Sequence, residues 1–207
     1  MLSTDDEFAA LVEASRIKGL VFVTCRRFVE EGYGVEVCEA LLSGLEPAAR
    51  EAFNEPDVSE LYPEAYMHAF VTRMHSLVAG GDEEAFCDMI RGIARLGISR
   101  FFRLILSLTS PVFVVKRIPL LFKRLREGPA ELRTELDSAH IVVHYDKFPW
   151  CGDPVYRLTS MANIQAAVEA TGAACPRVTV SECSSTSMSL VIDLERSERR
   201  LSAVPTG

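Results

Sequence analysis

The histidines His140 and His144 are the first residues whose type and spacing suggest chemistry. They are four residues apart in a short run that is predicted to be a strand. Because side chains alternate along a strand, both would lie on the same face. Such a pair can bind a metal ion or transfer protons. The alternative is that both face solvent, and this is the interpretation that we adopt.

The thiol of Cys151 is a second candidate, because it lies beside Trp150 in a loop without periodicity, where a cysteine can be reactive. No histidine partner is evident, so we expect a structural role. Asp153 is better explained as the N-cap of a helix that begins at Pro154. Gly-x-Ser-x-Gly, Walker and His-Glu-x-x-His motifs are absent from the sequence. These observations favour a non-enzymatic protein that binds and signals.

A third set of candidates is aromatic and basic, and would bind a small hydrophobic or amphiphilic ligand between the two halves of the chain. The expected lining residues are Phe102, Phe113, Lys116, Arg117, Phe122, Trp150 and Tyr156. The two cations would hold an acidic headgroup of the ligand. The alternative is that the aromatic side chains are ordinary core residues.

These candidates depend on a predicted sheet in residues 131–194. Runs of alternating or β-branched residues predict four strands, and a helix with an apolar face lies between the second and third. Two hairpins joined by one helix predict a four-stranded antiparallel ββαββ sheet. The predicted elements are the strands Glu131–Ser138 and His140–Asp146, a helix from Pro154 to Gly172, and the strands Arg177–Ser181 and Met188–Leu194.

The first half of the chain, residues 4–126, is predicted to be helical, including a helix at Ser99–Leu108 and one at Val112–Leu125 that is kinked by Pro119. The last of these helices is too apolar to stand in water, so we expect it to cover the sheet. Helices followed by a sheet indicate an α+β fold, a helical N-terminal half packed on the sheet, in a single domain over residues 1–207. The tail, 197–207, has no periodicity and is expected to be mobile.

Composition limits the location and the partners of the protein. The formal net charge of −7 disfavours nucleic-acid binding. The acidic opening and six cysteines without a Cys-x-x-Cys pair predict reduced thiols in the cytoplasm. The apolar run at 101–122 is interrupted by Arg103, Lys116 and Arg117, so no uncharged stretch reaches the roughly 18–20 residues of a membrane span.

The charge distribution is uneven and suggests a second function. Residues 1–60 contain 13 acids and 5 bases, whereas residues 100–126 contain 7 bases and no acid. A basic strip of this kind can mark a contact surface. The alternative function is therefore a protein-interaction adaptor, acting as a homodimer or heterodimer through the basic strip 100–126, against an acidic surface such as its own residues 30–60.

Several segments carry a resemblance to known proteins. They are KGLVF, LYPEAYMHAFVTRMH, DEEAFCDMIRGIARLGISRFF, SPVFVVKRIPLLFKRL and AAVEATGA. Together they resemble an uncharacterised family expanded in myxobacteria, a domain of about 180 residues, over roughly residues 16–195. That family is distantly similar to haem-nitric-oxide-binding and 4-vinyl-reductase-type sensor folds, which place a helical half before a ββαββ sheet. The resemblance implies a sensor that binds a small molecule.

The same resemblance implies two cofactors that the sequence does not support well. A helical histidine ligates iron in the haem-binding relatives, and His68 and His75 are the candidates, but the surrounding motif is absent and we expect no haem. A late cysteine pair binds zinc in the 4-vinyl-reductase domains, which points to Cys175 and Cys183, with Cys151 upstream. A strand between two cysteines eight residues apart would separate their sulfurs by about 25 Å, whereas zinc needs each at about 2.3 Å. We expect no cofactor, with zinc as the minor alternative.

Overall fold

The computed structural model describes residues 4–98, 109–136, 140–173 and 176–193. The predicted helix at 99–108 and the tail lie outside these ranges. Within the described ranges, the first half of the chain is mainly helical, as predicted, and its helices are joined by short connections. The helices are α1 (Thr4–Ala14), α2 (Gly19–Tyr33), α3 (Val35–Ser43), α4 (Pro47–Asn54), α5 (Glu64–Leu77), α6 (Glu83–Gly97), α7 (Pro111–Val115) and α8 (Ile118–Leu125).

Pro119 breaks the predicted helix Val112–Leu125 instead of kinking it. Lys116 and Arg117 form a turn between the two helices although their φ and ψ angles stay in the right-handed helical region, and Pro119 lies in the first turn of α8. Proline is tolerated there, because the first backbone N–H groups of a helix have no partner within that helix. The result is two short helices. Val114 and Val115 of the first are buried, and Ile118 and Phe122 of the second are buried.

Three short strands connect distant parts of the chain and were not predicted as a sheet. They are β1 (Arg16–Lys18), β2 (Leu61–Pro63) and β3 (Arg126–Glu127), in the order β2-β1-β3 and antiparallel. Ile17, which is fully buried, pairs with Tyr62 on one side and Arg126 on the other. This sheet therefore brings the start of α5 close to the end of α8.

The second sheet confirms the predicted ββαββ arrangement. Its antiparallel strands follow the order β4-β5-β7-β6, and a helix lies between the two hairpins. The Asp153 carboxylate accepts a hydrogen bond from the Tyr156 backbone N–H at 2.8 Å, which confirms the predicted helix cap. The elements are β4 (Glu131–Leu136), β5 (Ile141–Asp146), α9 (Pro154–Glu169), β6 (Arg177–Cys183) and β7 (Met188–Asp193).

The core of the two halves is continuous. Helix α9 packs on both α6 and the sheet, and α8 covers β4, as the sequence predicts. Edge-to-face ring contacts join α8 to the sheet half: the Phe122 centroid lies 6.1 Å from that of Tyr145 and 5.9 Å from that of Phe148. The α+β fold predicted from the sequence is confirmed. Within the described ranges, no helix is long and apolar enough to cross a membrane.

Candidate functional site

A cleft of about 250 Å³ opens at the end of the helical half, beside the connection to the sheet half, and we call it the seam cleft. It is formed by the residue before β1, the first residue of α5, the end of α8, and the segment from β3 toward β4. The small sheet β2-β1-β3 holds these elements together. The lining residues are Ser15, Glu64, Phe122, Lys123, Arg126, Glu127, Gly128 and Ala130.

A buried ion pair lies at the wall of this cleft. Glu64 is 1% exposed, and its Oε1 accepts a hydrogen bond from Arg126 Nε at 2.7 Å and another from the Tyr156 hydroxyl at 2.6 Å. The guanidinium carbon of Arg126 lies 4.7 Å from the centroid of the Phe122 ring, within cation–π range. Three parts of the chain, α5, β3 and α9, therefore meet at one carboxylate.

The electrostatics of this network fix the protonation of two of its members. Burial raises the pKa of Tyr156 well above its usual range, and the Glu64 charge raises it further, so the hydroxyl stays a donor. Burial by itself would lower the pKa of Arg126, but the nearby Glu64 and Tyr156 outweigh that effect and raise it. Arg126 therefore stays a cation, and its side chain remains one-fifth exposed at the cleft. The arrangement offers a held cation to a small molecule entering from solvent.

The backbone at Gly128 passes very close to the end of α1. Its φ is +133°, and a Cβ at this position would lie 2.8 Å from the carbonyl oxygen of Ala14. Only glycine combines this conformation with this approach. Gly128 thereby sets the path of the chain along the cleft.

The predicted ligand residues do not all lie together. Phe122 lines the seam cleft, Tyr156 reaches it through Glu64, and Trp150 is buried 5.5 Å from the Tyr156 ring, centroid to centroid. Phe113, Lys116 and Arg117 lie on the outer surface of α7 and the turn after it, away from the cleft lining. Phe102 lies outside the described residues. Whether any of these residues binds a ligand stays a prediction.

Sequence reasoning missed Glu64 and treated Arg126 only as part of the basic strip. An acid in the first turn of a helix is usually explained by the helix dipole. Nothing local in the sequence joins it to an arginine 62 residues later. The only available signal was the short run Ile17–Lys18 before a helix. A buried strand at this position requires neighbouring strands, and these lie next to Glu64 and at Arg126.

Two of the three cysteines predicted as zinc ligands are neighbours. The exposed Cys183 thiol donates to the Cys151 carbonyl oxygen at 3.1 Å, and Arg157 Nη1 lies 3.6 Å from the same sulfur. Burial raises the pKa of the Cys151 thiol to about 12, which disfavours the thiolate that binds metal. Cys175 is not among the described residues. In the part of the chain that is described, no group of three His, Cys, Asp or Glu side chains could hold a metal ion.

Three of the histidines singled out from the sequence contact neighbouring side chains, and His140 is exposed. The expectation that His140 and His144 both face solvent is wrong for His144, whose side chain is 21% exposed. His68 Nε2 lies 3.2 Å from Asp153 Oδ2, and its ring stacks on Trp150 with centroids 5.8 Å apart. The His75 ring meets Phe86 edge-on at 5.1 Å. His144 Nδ1 lies 2.9 Å from Ser189 Oγ. His68 contributes to the contact between the halves.

Comparison with solved structures shows that this fold occurs in H-NOX proteins. An H-NOX protein mutant from S. oneidensis in the Fe(II) state is 17% identical, with a TM-score of 0.67 over 88% of this chain and 98% of that chain. The S. oneidensis protein in the Fe(II)NO state is 15% identical, with a TM-score of 0.64 over 86% and 99%. An unliganded Fe(II) mutant from K. algicida is 10% identical, with a TM-score of 0.63 over 86% and 96%.

These likenesses confirm the distant resemblance in fold that the sequence suggests. No family model and no curated protein matches the chain. Membership of the myxobacterial family therefore stays a prediction.

The names of these neighbours include Fe(II), which conflicts with the sequence-based expectation that this chain binds no haem. The residues of the cleft bear on this conflict. Haem iron is held by His, Cys, Met or Tyr. None of these residue types lines the seam cleft, which offers Glu, Arg, Lys and Ser instead. His68 and His75 pack against Trp150 and Phe86. The residues described here do not fit a haem at this cleft.

Proposed function

We propose that the protein is a non-enzymatic sensory module that binds a small molecule in the seam cleft. The observation that carries this proposal is the Glu64–Arg126 ion pair, which is buried and yet borders an open cleft. Burying charge is costly, and perturbed pKa values beside a cleft are typical of functional sites. The H-NOX fold adds support, since one neighbour is described in an Fe(II)NO ligation state.

The lining suggests an amphiphilic ligand with an acidic group. Arg126 and Lys123 supply positive charge, and the Phe122 ring supplies an apolar wall. Glu64 neutralises part of the Arg126 charge, which favours a weak, reversible contact. Ligand pockets usually span about 300–1,000 Å³, so a cleft of about 250 Å³ suits a molecule smaller than most drugs.

The proposal is tested by filling the cleft. Ala130 lines it, and Ala130→Phe would occupy its volume while leaving the ion pair in place. Ala40→Phe, at an exposed position of α3, is the matched control. Small aromatic and aliphatic carboxylates, with benzoate as the first probe, would be screened by thermal shift.

We expect at least one carboxylate to raise the melting temperature of the wild type and of Ala40→Phe but not of Ala130→Phe. If no carboxylate stabilises the wild type, or if Ala130→Phe responds equally, the cleft is not the ligand site.

Haem gives a separate test, because the fold neighbours and the cleft residues disagree about it. Titration of the purified protein with haemin should give no saturable Soret band. A band that saturates at one haem per chain, and is lost in His68→Ala or His75→Ala, would contradict the misfit described above.

The alternative predicted from the sequence, an adaptor acting through the basic strip 100–126, stays a prediction. So do a zinc-containing sensor that uses Cys175, the absence of nucleic-acid binding, and the cytoplasmic location. The described part of the basic strip nevertheless exposes a surface that suits a binding partner other than a protein, as described below.

A further inference from the structure

Helices α7 and α8 expose apolar and basic side chains together on one side. Phe113, Leu120 and Leu121 are 48%, 45% and 43% exposed. Lys116, Arg117 and Arg124 are exposed among them. We call these six residues the α7–α8 face.

Helical spacing makes this face continuous. Positions 117, 120, 121 and 124 follow the three- and four-residue steps that place side chains on one side of a helix. The guanidinium carbon of Arg117 lies 5.2 Å from the centroid of the Phe113 ring, which joins the two short helices. Ile118 and Phe122 are buried on the opposite side of α8. The orientation is thus fixed by the core, and among the described residues Phe113, Leu120 and Leu121 are not part of that core.

We propose that the α7–α8 face docks on a membrane surface that contains anionic lipids. Lys and Arg on a polar face, combined with Phe and Leu that can enter the lipid boundary, are typical of helices that lie in the interface. Charge complementarity points to an anionic occupant, because Lys116, Arg117 and Arg124 are exposed on this face and residues 109–126 contain no acid, in a chain whose net charge is −7. The cations would attract the headgroups while the three apolar side chains enter the lipid.

A protein partner fits this face less well. The cores of protein interfaces are depleted in Lys and enriched in Tyr and Trp. The arginines and Phe113 of the α7–α8 face are common in such cores, but Lys116 is not, and the six residues include no Tyr, Trp, Asn or Gln and no side-chain acceptor. A second copy of the chain, which the basic strip also allows, is therefore treated as an outcome of the test.

The experiment is flotation of the full chain with vesicles. One set contains phosphatidylcholine only, and the other an equimolar mixture of phosphatidylcholine and phosphatidylserine. Two double variants remove the charge (Arg117→Gln with Arg124→Gln) or the apolar side chains (Leu120→Ser with Leu121→Ser). Their matched controls change exposed residues of the same types elsewhere, Arg27→Gln with Arg133→Gln and Leu20→Ser with Leu77→Ser. All the leucines changed are exposed, so the variants should remain folded.

We expect binding to the phosphatidylserine vesicles only, and weaker binding at high salt because screening shortens the reach of the charges. Each cation near an anionic surface contributes about fivefold to affinity, so the double arginine variant should bind about 25-fold less tightly. Loss of the two leucines should weaken binding about tenfold or more. The controls should bind like the wild type.

Three results would overturn the proposal: no binding to the phosphatidylserine vesicles, equal binding to both vesicle types, or equal losses in the controls. Sedimentation equilibrium adds a fourth. If the wild type is a dimer that Leu120→Ser with Leu121→Ser converts to a monomer, the face joins two copies of this chain instead of a membrane.

Discussion

The Glu64 carboxylate shows at the residue scale why the seam should be sensitive to single changes. Arg126→Met would leave this carboxylate buried and unpaired, which costs about 3–5 kcal/mol of unfolding free energy. Arg95→Met is the control, because its ion pair with Glu169 is more than half exposed on the Arg95 side and should contribute less than about 1 kcal/mol. Urea unfolding of both variants measures the difference.

A second change makes this test specific. The double variant Glu64→Gln with Arg126→Met removes both charges while keeping an acceptor for Tyr156. Its loss of unfolding free energy should therefore be smaller than the sum of the losses in the two single variants. If the two effects simply add, the ion pair is not coupled and Glu64 is stabilised by other groups.

The buried thiol of Cys25 predicts a loss of stability at alkaline pH. Burial raises its pKa from 9.0 to about 12. The folded protein then keeps a proton that the unfolded chain loses, so the free energy of unfolding falls as the pH rises from about 9 toward 12. The slope contributed by one thiol approaches about 1.4 kcal/mol per pH unit.

Cys25→Ala should flatten that slope, even though the cavity lowers stability at every pH. Cys183→Ala is the control, because this thiol is exposed. Equal slopes in the wild type and Cys25→Ala, measured by urea unfolding across this range, would show that Cys25 does not keep its proton.

Individual residues also show how far sequence reasoning reaches. The Asp153 cap was predictable, because the cap and the proline after it act within one helical turn. The Glu64–Arg126–Tyr156 network was not, because it joins residues up to 92 positions apart whose local settings look ordinary. Long-range ion pairs leave no periodic pattern in a sequence.

At the scale of elements, the four-stranded sheet was predictable because alternation, turn residues and helix caps all act locally. The small sheet β2-β1-β3 was not, because strands of two or three residues are too short to show alternation. The missing backbone N–H of Pro119 can either kink or break a helix, so the sequence does not distinguish the two outcomes. The sequence predicts one helix, whereas the structure has two, α7 and α8. Their side chains face the core, the cleft and the outer face.

The link between β3 and β4 supports a prediction at this scale. Gly128→Ala should destabilise the protein by about 1–3 kcal/mol, because alanine resists a positive φ and its Cβ meets the Ala14 carbonyl at 2.8 Å. Gly32→Ala is the matched control: it lies within α2, and no heavy atom lies within 4 Å of the added Cβ. That change should raise stability by roughly 0.5–1 kcal/mol through helix propensity.

Urea unfolding of the two alanine variants decides the matter. If Gly128→Ala is as stable as Gly32→Ala, the close approach of β3–β4 to α1 does not constrain the cleft.

At the scale of the whole molecule, contacts across the seam predict that the two halves unfold together. Trp150 is the only tryptophan and packs on His68 of the helical half, so its fluorescence reports on the seam. Far-UV circular dichroism reports mainly on the helices. The two urea transitions should coincide. Separate midpoints would show two domains, in place of the single domain that the sequence predicts.

The position of α8 relates the two proposals. One side of this helix lines the seam cleft through Phe122 and Lys123, and the other side carries Leu120, Leu121 and Arg124 of the α7–α8 face. A ligand in the cleft would therefore contact the helix that docks on lipid. Such an arrangement suits a sensor whose attachment depends on its ligand.

The location of the ligand is tested most directly by a nuclear magnetic resonance titration of the ¹⁵N-labelled protein with the carboxylate that stabilises it best. The account predicts saturable shifts concentrated at the backbone amides of Ser15, Glu64, Phe122, residues 126–128 and Ala130, and their loss in Ala130→Phe. Saturable shifts concentrated elsewhere, or shifts that persist unchanged in Ala130→Phe, would contradict the assignment of the seam cleft as the sensory site.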